Sequence, residues 1–270
     1  MEPPPRRPLI TLTTDFGLSD HYVGVMKGVI LARCPEARII DISHQIPPFC
    51  ILAGAYTIHQ AARWFPPETT HVVVVDPGVG TSRKAIFVEA LGQRFIAPDN
   101  GVLSIVFAHD RHASAREITN SALFLPSPSS TFHGRDIFSP VAAAIACGLA
   151  HHEVGPPLRR IELALGWDPE QLEANSWRGT ILNVDRFGNA ITNFKTSQFG
   201  RIDSGPFEIR ARDHRVTEFR RTFGGAPAGL CFAYFGSSDY IELGMNQASA
   251  AAFLGLSPGD SITLLSEPPA

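Results

Sequence analysis

The segment from His71 to Lys84, HVVVVDPGVGTSRK, constrains this chain more than any other. Four consecutive valines describe a strand buried on both faces, which suits a parallel sheet covered by helices. The run stops at Asp76, and a Pro-Gly-Val-Gly turn then carries the chain to Arg83. In open α/β sheets ligands bind beyond the carboxyl ends of the strands. Asp76, placed there by a rigid strand with a cation close behind, is therefore a candidate reaction centre. The alternative is a turn aspartate in a surface ion pair.

The same grammar repeats on either side. LITLTTDFG predicts a strand ending at Asp15, and ARIIDIS a second ending near Asp41 and His44. Acids thus recur at strand carboxyl ends. Ser19 is placed as the N-cap of a helix through Tyr22, Val25, Met26, Val29 and Ile30. Pro47-Pro48 opens another helix running to about Trp64. AIFVEA and RFIAP predict a hairpin leading to Asp99-Asn100-Gly101, and FHGRDIFSPVAAAIACG a loop leading into a buried small-residue helix. The expectation is an α/β domain over residues 9–155 with a mostly parallel central sheet. Residues 1–8 read as a disordered Pro-rich tail, and 156–176 as a turn-rich linker. Over 177–270 the runs RGTILNVD, AITNF, PFEIRA, LCFAYF, YIELG and SITLLS predict a smaller, mainly antiparallel β domain.

Composition removes several function classes. Net charge is -3 over 270 residues, with no basic run longer than pairs such as Arg6-Arg7, Arg159-Arg160 and Arg220-Arg221, which disfavours a nucleic-acid partner. No stretch approaches the roughly 18 apolar residues of a membrane span, and the start lacks the apolar region of a signal peptide. Cys34, Cys50, Cys147 and Cys231 are scattered without a CxxC pair. They read as reduced, mostly buried thiols of a cytoplasmic protein, neither a disulfide frame nor a zinc site. His109 and His112 lie in a charged loop without a carboxylate-cysteine set, so no metal centre is expected.

His133, in TFHGRD, sits in a glycine-flanked loop where an imidazole of pKa about 6.5 can exchange a proton. The alternative is a histidine that merely caps the following helix. GVGTSRK lacks phosphate-loop spacing, although its backbone N–H groups could cradle an anion. The G-x-S-x-G string at Gly255–Gly259 leads into the strand-like run SITLLS and not into a helix, so it is no nucleophile elbow, and no Rossmann fingerprint occurs. NVDRFGNAITNF exposes the Asp185 carboxylate, the Asn189 amide and a phenyl ring around one turn. YFGSSDYIELGMNQ adds two serines and Glu242. Ordinary hairpin turns are the alternative for both motifs. An amide and a ring suit an aromatic base, and acids suit an ammonium or sulfonium.

Together, TTDFG, DPGVGTSR, APDNG, FHGRD, DRFGNAITNF and GSSDYIELGMNQ, in this order over nearly the whole chain, resemble the S-adenosyl-L-methionine hydroxide adenosyltransferases, relatives of the fluorinating and chlorinating enzymes. The resemblance implies hydrolysis of S-adenosyl-L-methionine to adenosine and L-methionine, with no cofactor, by a homotrimer whose sites lie between subunits. It implies a water-activating set of Asp76, Arg83 and His133. Asp15 would hold the ribose hydroxyls, Asp185 the methionine ammonium and Asn189 the adenine edge. Phe223 would stack on adenine, and Ser237, Glu242 and Met245 would line the pocket. Asp239 departs from the pattern, because relatives usually show glycine there, in GSSGY. Halogenating relatives lack the histidine of FHGRD and carry a longer insertion in the first domain, so hydroxide is favoured over halide. A chlorinase-like halogenase and a non-catalytic adenosine-binding or S-adenosyl-L-methionine-binding module are the competing readings.

Overall fold

Three strands lie side by side: β1 (Leu9–Thr14), β2 (Arg38–Ser43) and β3 (Thr70–Val74). The computed structural model describes residues 7–266, so most of the tail expected over residues 1–8 lies outside the described residues. β1 runs parallel to both neighbours, with Thr13 opposite Ser43 and Thr14 opposite Val74. All three carboxyl ends therefore reach one edge, and Asp15, His44 and Asp76 stand just past it. The valine run is apolar throughout because it serves two cores. Val72 and Val74 pack with Met26 and Val141, from α1 (Tyr22–Arg33) and α4 (Ser139–Ala146). Val73 and Val75 face the other way, toward Ile58 and Val106 of α2 (Ile51–Ala62) and α3 (Ser104–Ala108). Alternate residues of a strand point to opposite faces, so helices on both sides demand apolar residues at every position. Ser19 does not cap α1, whose preceding residue is His21 and which has no side-chain cap.

Polar side chains also lie within this core. His71 of β3 is fully buried between Thr11 Oγ1 at 2.7 Å and Gln93 Oε1 at 3.1 Å. Burial lowers its pKa to about 4, against the opposing bond to Gln93. The ring is neutral, with both nitrogens satisfied.

The sheet has seven strands in the order β2-β1-β3-β5-β4-β6-β7, adding β4 (Ala85–Ala90), β5 (Gln93–Pro98), β6 (Ser114–Glu117) and β7 (Pro157–Leu158). It is not mostly parallel, as the sequence led us to expect. β5 is parallel to β3, whereas β4 pairs antiparallel with β5 and β6, and β6 with β7. The cause is local. Leu91 and Gly92 both take positive φ, 57° and 69°, in the two-residue turn between β4 and β5. Such a turn joins only antiparallel neighbours, and the strands added beyond it follow suit.

The chain divides into two compact units between Ala164 and Leu165. The second unit is an antiparallel, barrel-like sheet in the order β12-β11-β15-β9-β10-β14-β13, with β8 (Glu170–Glu173) added to β9. Its strands are β9 (Ser176–Val184), β10 (Ala190–Lys195), β11 (Phe207–Ala211), β12 (His214–Val216), β13 (Cys231–Phe235), β14 (Tyr240–Met245) and β15 (Ser261–Ser266). Backbone bonds from Ala233 to Glu218 and from Arg220 to Ala233 bring the segment after β12 onto β13, curling the sheet upon itself. Phe194, Ile209, Leu243 and Leu264 fill its interior. The stretch expected as a linker contributes β7 and β8.

The cysteines correct a second expectation. Cys34 follows α1 and Cys147 follows α4, and the two are disulfide-bonded with Cα atoms 6.3 Å apart, while Cys50 and Cys231 are free thiols. A separation of 113 residues concealed this pairing, since it arises only once α1 and α4 pack together and their last turns meet. Among the described residues no helix is long and apolar enough to cross a membrane. Thiol titration in denaturant should find two reactive groups without reductant and four after reduction. Closing so long a loop stabilises a fold by about 4–5 kcal/mol in the chain-entropy limit, so the reduced protein should melt well below the oxidised one. Four thiols without reductant would refute the bond.

Candidate active site

Asp76, Arg83 and His133 meet at the carboxyl edge of the first sheet. Arg83 binds Asp76 through two bonds, Nε to Oδ1 at 3.0 Å and Nη2 to Oδ2 at 2.5 Å. The same Nη2 lies 2.6 Å from His133 Nδ1. The side chains of Arg83 and Asp76 are 9% and 4% exposed, so this ion pair is largely withdrawn from water. Bidentate geometry orients both planes and strengthens a charge-assisted pair. An arginine only donates, so Nδ1 accepts and the ring hydrogen of neutral His133 sits on Nε2. Burial and then the Arg83 charge lower the His133 pKa, against the pull of Asp76 and Asp136.

Each member is held by its surroundings. Asn100, in the APDNG motif, donates from Nδ2 to the Val75 carbonyl at 2.8 Å and fixes the strand end just before Asp76. The Arg83 guanidinium lies 5.4 Å from the centre of the Phe138 ring. His133 precedes a π-helical turn, Gly134–Phe138, that runs directly into α4. π-turns inside helices are rare and often mark functional sites. Asp136 in that turn accepts from the Ser129 N–H at 2.8 Å and from Arg135 Nε at 2.6 Å. This bond secures the loop whose next residue, Ser130, lies against Gly80. Gly80 has φ 78°, and a Cβ there would stand 2.3 Å from the Ser130 carbonyl oxygen. Close backbone approach of the 78–83 turn and the 129–133 loop accompanies the meeting of Arg83 and His133.

Asp15 lies at the same edge. Its Oδ2 accepts from the Phe49 N–H at 2.9 Å. Burial raises its pKa, the Phe49 bond opposes the rise, and the nearby Asp76 charge adds to it.

The other expected residues belong to the second unit. Asp185 Oδ1 accepts from the Phe187 and Asn189 N–H groups, at 2.9 and 2.8 Å, and Oδ2 from Asn189 Nδ2 at 2.8 Å. Asp185 and Asn189 are therefore one preorganised turn. Asn189, Phe223 and Met245 come together with Phe187 and Ser249 around a cavity of about 640 Å³, within the range of small-molecule sites. Glu242 is buried, and its carboxylate is taken up by the Tyr234 hydroxyl and, at 2.9 Å, by Ser238 Oγ. Burial raises its pKa, opposed by those two bonds. Ser237 is exposed, and the adjacent Ser238 makes the contact. Asp239 has φ 65°, a left-handed conformation, which explains why glycine suits this position.

Sequence reasoning missed Asp136, Asn100, Tyr234 and Ser238 as supports. Asp136 was legible three residues after His133, and Asn100 within a motif already singled out. The Tyr234–Glu242 pairing needed the β13–β14 register, in which these residues stand opposite each other.

Residues 10–155 match the family model of the SAM hydroxide adenosyltransferase N-terminal domain and residues 179–263 that of its C-terminal domain, so the chain belongs to this family. It is 39% identical to the (R)-S-adenosyl-L-methionine hydrolase of Thermus thermophilus, covering 96% of this chain and 100% of that one. It is 36% identical to the hydrolase of the same name from Salinispora arenicola, over 94% and 97%. A fluorinase of Nocardia brasiliensis is 28% identical over 95% and 96%. A crystal structure of an uncharacterized conserved protein from Thermotoga maritima superposes with a TM-score of 0.85 at 38% identity, covering 95% and 99%.

Two glycines provide a test of the loop contact. Gly17 also has positive φ, 69°, but a Cβ there would meet nothing within 4 Å. Gly17→Ala should lose only the backbone preference, about 1 kcal/mol. Gly80→Ala should lose about 1–3 kcal/mol more, because backbone must shift. Equal losses in urea unfolding would refute the close approach.

Proposed function

We propose that this chain hydrolyses S-adenosyl-L-methionine to adenosine and L-methionine through in-line attack of water at C5′. The observation that carries this reading is the nearly buried Asp76–Arg83–His133 set at the strand ends. Family membership and relatives named as hydrolases support it. In the step, an O–C5′ bond forms as the C5′–S bond breaks, and its electron pair leaves on sulfur as a neutral thioether. The attacking water becomes acidic as it bonds to carbon, so a carboxylate suffices as proton acceptor. Asp76 takes this proton. His133 Nδ1 is occupied by Arg83, so its Nε2–H orients the water by donating to it. Arg83 holds both groups and stabilises developing hydroxide character. The balance needs only water, and no cofactor enters.

In the same proposal Asp15 binds the ribose hydroxyls, Asp185 the ammonium and Asn189 the adenine edge. Phe223 stacks on the base, and Ser237, Glu242 and Met245 line the pocket. The names of the relatives favour the (R) sulfonium epimer. A homotrimer with sites at subunit contacts rests on family membership. A cytoplasmic location rests on the free thiols of Cys50 and Cys231, with the Cys34–Cys147 bond pulling the other way.

Turnover in oxygen-18 water should place the label in the 5′-hydroxyl of adenosine; unlabelled adenosine would sink direct attack. High chloride should yield adenosine and no 5′-chloro-5′-deoxyadenosine. Asp76→Ala and His133→Ala should each reduce kcat by about a hundredfold or more with little change in substrate affinity. Full activity in both would remove the site assignment. Protonation of His133 forces Nδ1 to donate, which breaks its bond from Arg83. Its folded pKa is lowered, so kcat should hold as pH falls to 6.5 and decline only below it. A decline centred above 6.5 would contradict the neutral-ring assignment.

A further inference from the structure

A second polar chain crosses the same edge of the first sheet, and the reaction as written does not use it. Its centre is His44, whose side chain is 2% exposed. His44 Nδ1 meets Thr14 Oγ1 at 2.8 Å, and Nε2 meets Asp41 Oδ1 at 3.0 Å. The other Asp41 oxygen is held by Lys27 Nζ at 2.6 Å. Asp41 Oδ1 lies within ion-pair distance of Nε2 but not in hydrogen-bond alignment, so the directed bond of this ring is the one between Nδ1 and the Thr14 hydroxyl. The Thr14 oxygen in turn accepts from the Phe16 N–H at 3.2 Å, and the His44 carbonyl from the Gly17 N–H at 2.7 Å.

Residues 14, 16 and 17 are thus tied, directly or through one hydroxyl, to His44. Asp15 is the residue they enclose, and its carboxylate is held by Phe49, five residues beyond His44. The loops after β1 and β2 are stitched together around that carboxylate. Without the stitches Asp15 would have reason to move, because it is partly desolvated and repelled by Asp76.

We infer that His44 is a positioning residue, which acts through Thr14 and through its own carbonyl to hold the Asp15 carboxylate where it can accept from ribose hydroxyls. The inference rests on the ribose role proposed for Asp15. It gives His44, just after β2, a function distinct from proton transfer to the substrate. Its signature is selective: losing His44 should weaken recognition of the sugar hydroxyls and leave recognition of the base intact.

The test compares the Kd of adenosine with that of 2′-deoxyadenosine by calorimetry on the full-length protein. Asp15→Asn sets the floor for hydroxyl discrimination. His44→Leu should lower the ratio of the 2′-deoxyadenosine Kd to the adenosine Kd by about fivefold or more, as expected for a misplaced hydrogen bond to a charged group, with the Kd of 2′-deoxyadenosine unchanged. His44→Asn, which keeps a polar atom near the Nδ1 position, should recover part of the discrimination. If His44→Leu does not fold by circular dichroism, Thr14→Val replaces it and should give the same loss. A general structural defect would weaken both ligands equally and overturn the inference. So would a wild-type ratio in the folded variant while Asp15→Asn lowers it. A wild-type ratio in Asp15→Asn would instead remove the ribose role itself, and the inference with it.

Discussion

The first unit's site depends on one guanidinium shared between two acceptors. Arg83 spans both Asp76 oxygens and still reaches the His133 ring, from a position that is 9% exposed. In water such an ion pair contributes little. Where it is desolvated, the charges need each other, and removal of one partner leaves an uncompensated charge. This dependence fixes the imidazole tautomer, the carboxylate plane and the approach of two loops at once. Gly80, Asn100 and Asp136 are there to make that convergence possible.

Much of this was legible in the residues. An uninterrupted valine run can satisfy only a strand covered on both sides, and Val72–Val75 divide between two cores as that logic requires. Strand ends that finish on acids put Asp15 and Asp76 at one edge because β1 and β3 are parallel and in register. The hairpin was read correctly, but its consequence for the sheet was not drawn: from β5 outward each strand runs opposite to its neighbour. The disulfide was illegible for another reason. Cys34 and Cys147 meet only through helix packing, which leaves no local trace in spacing.

The second unit shows the same limit at finer scale. Asp185 and Asn189 lie four residues apart and form a self-contained turn, so their pairing could be read from sequence. Ser237 and Ser238 lie in the turn between β13 and β14, and its conformation, which spacing does not reveal, decides which of them faces Glu242. Ser238 is buried and bonds Glu242, while Ser237 is exposed. Asp239 looked like a departure from the family pattern. Its backbone is left-handed, a conformation that aspartate tolerates.

His71 makes the middle of the first sheet sensitive to acid. The unfolded chain binds a proton on this ring near pH 6.5, whereas the folded chain resists until about 4. Stability from its neutral packing is complete above 6.5 and drains away as the pH falls toward 4. The strand that delivers Asp76 to the reaction edge therefore also carries a group whose packing acid undermines.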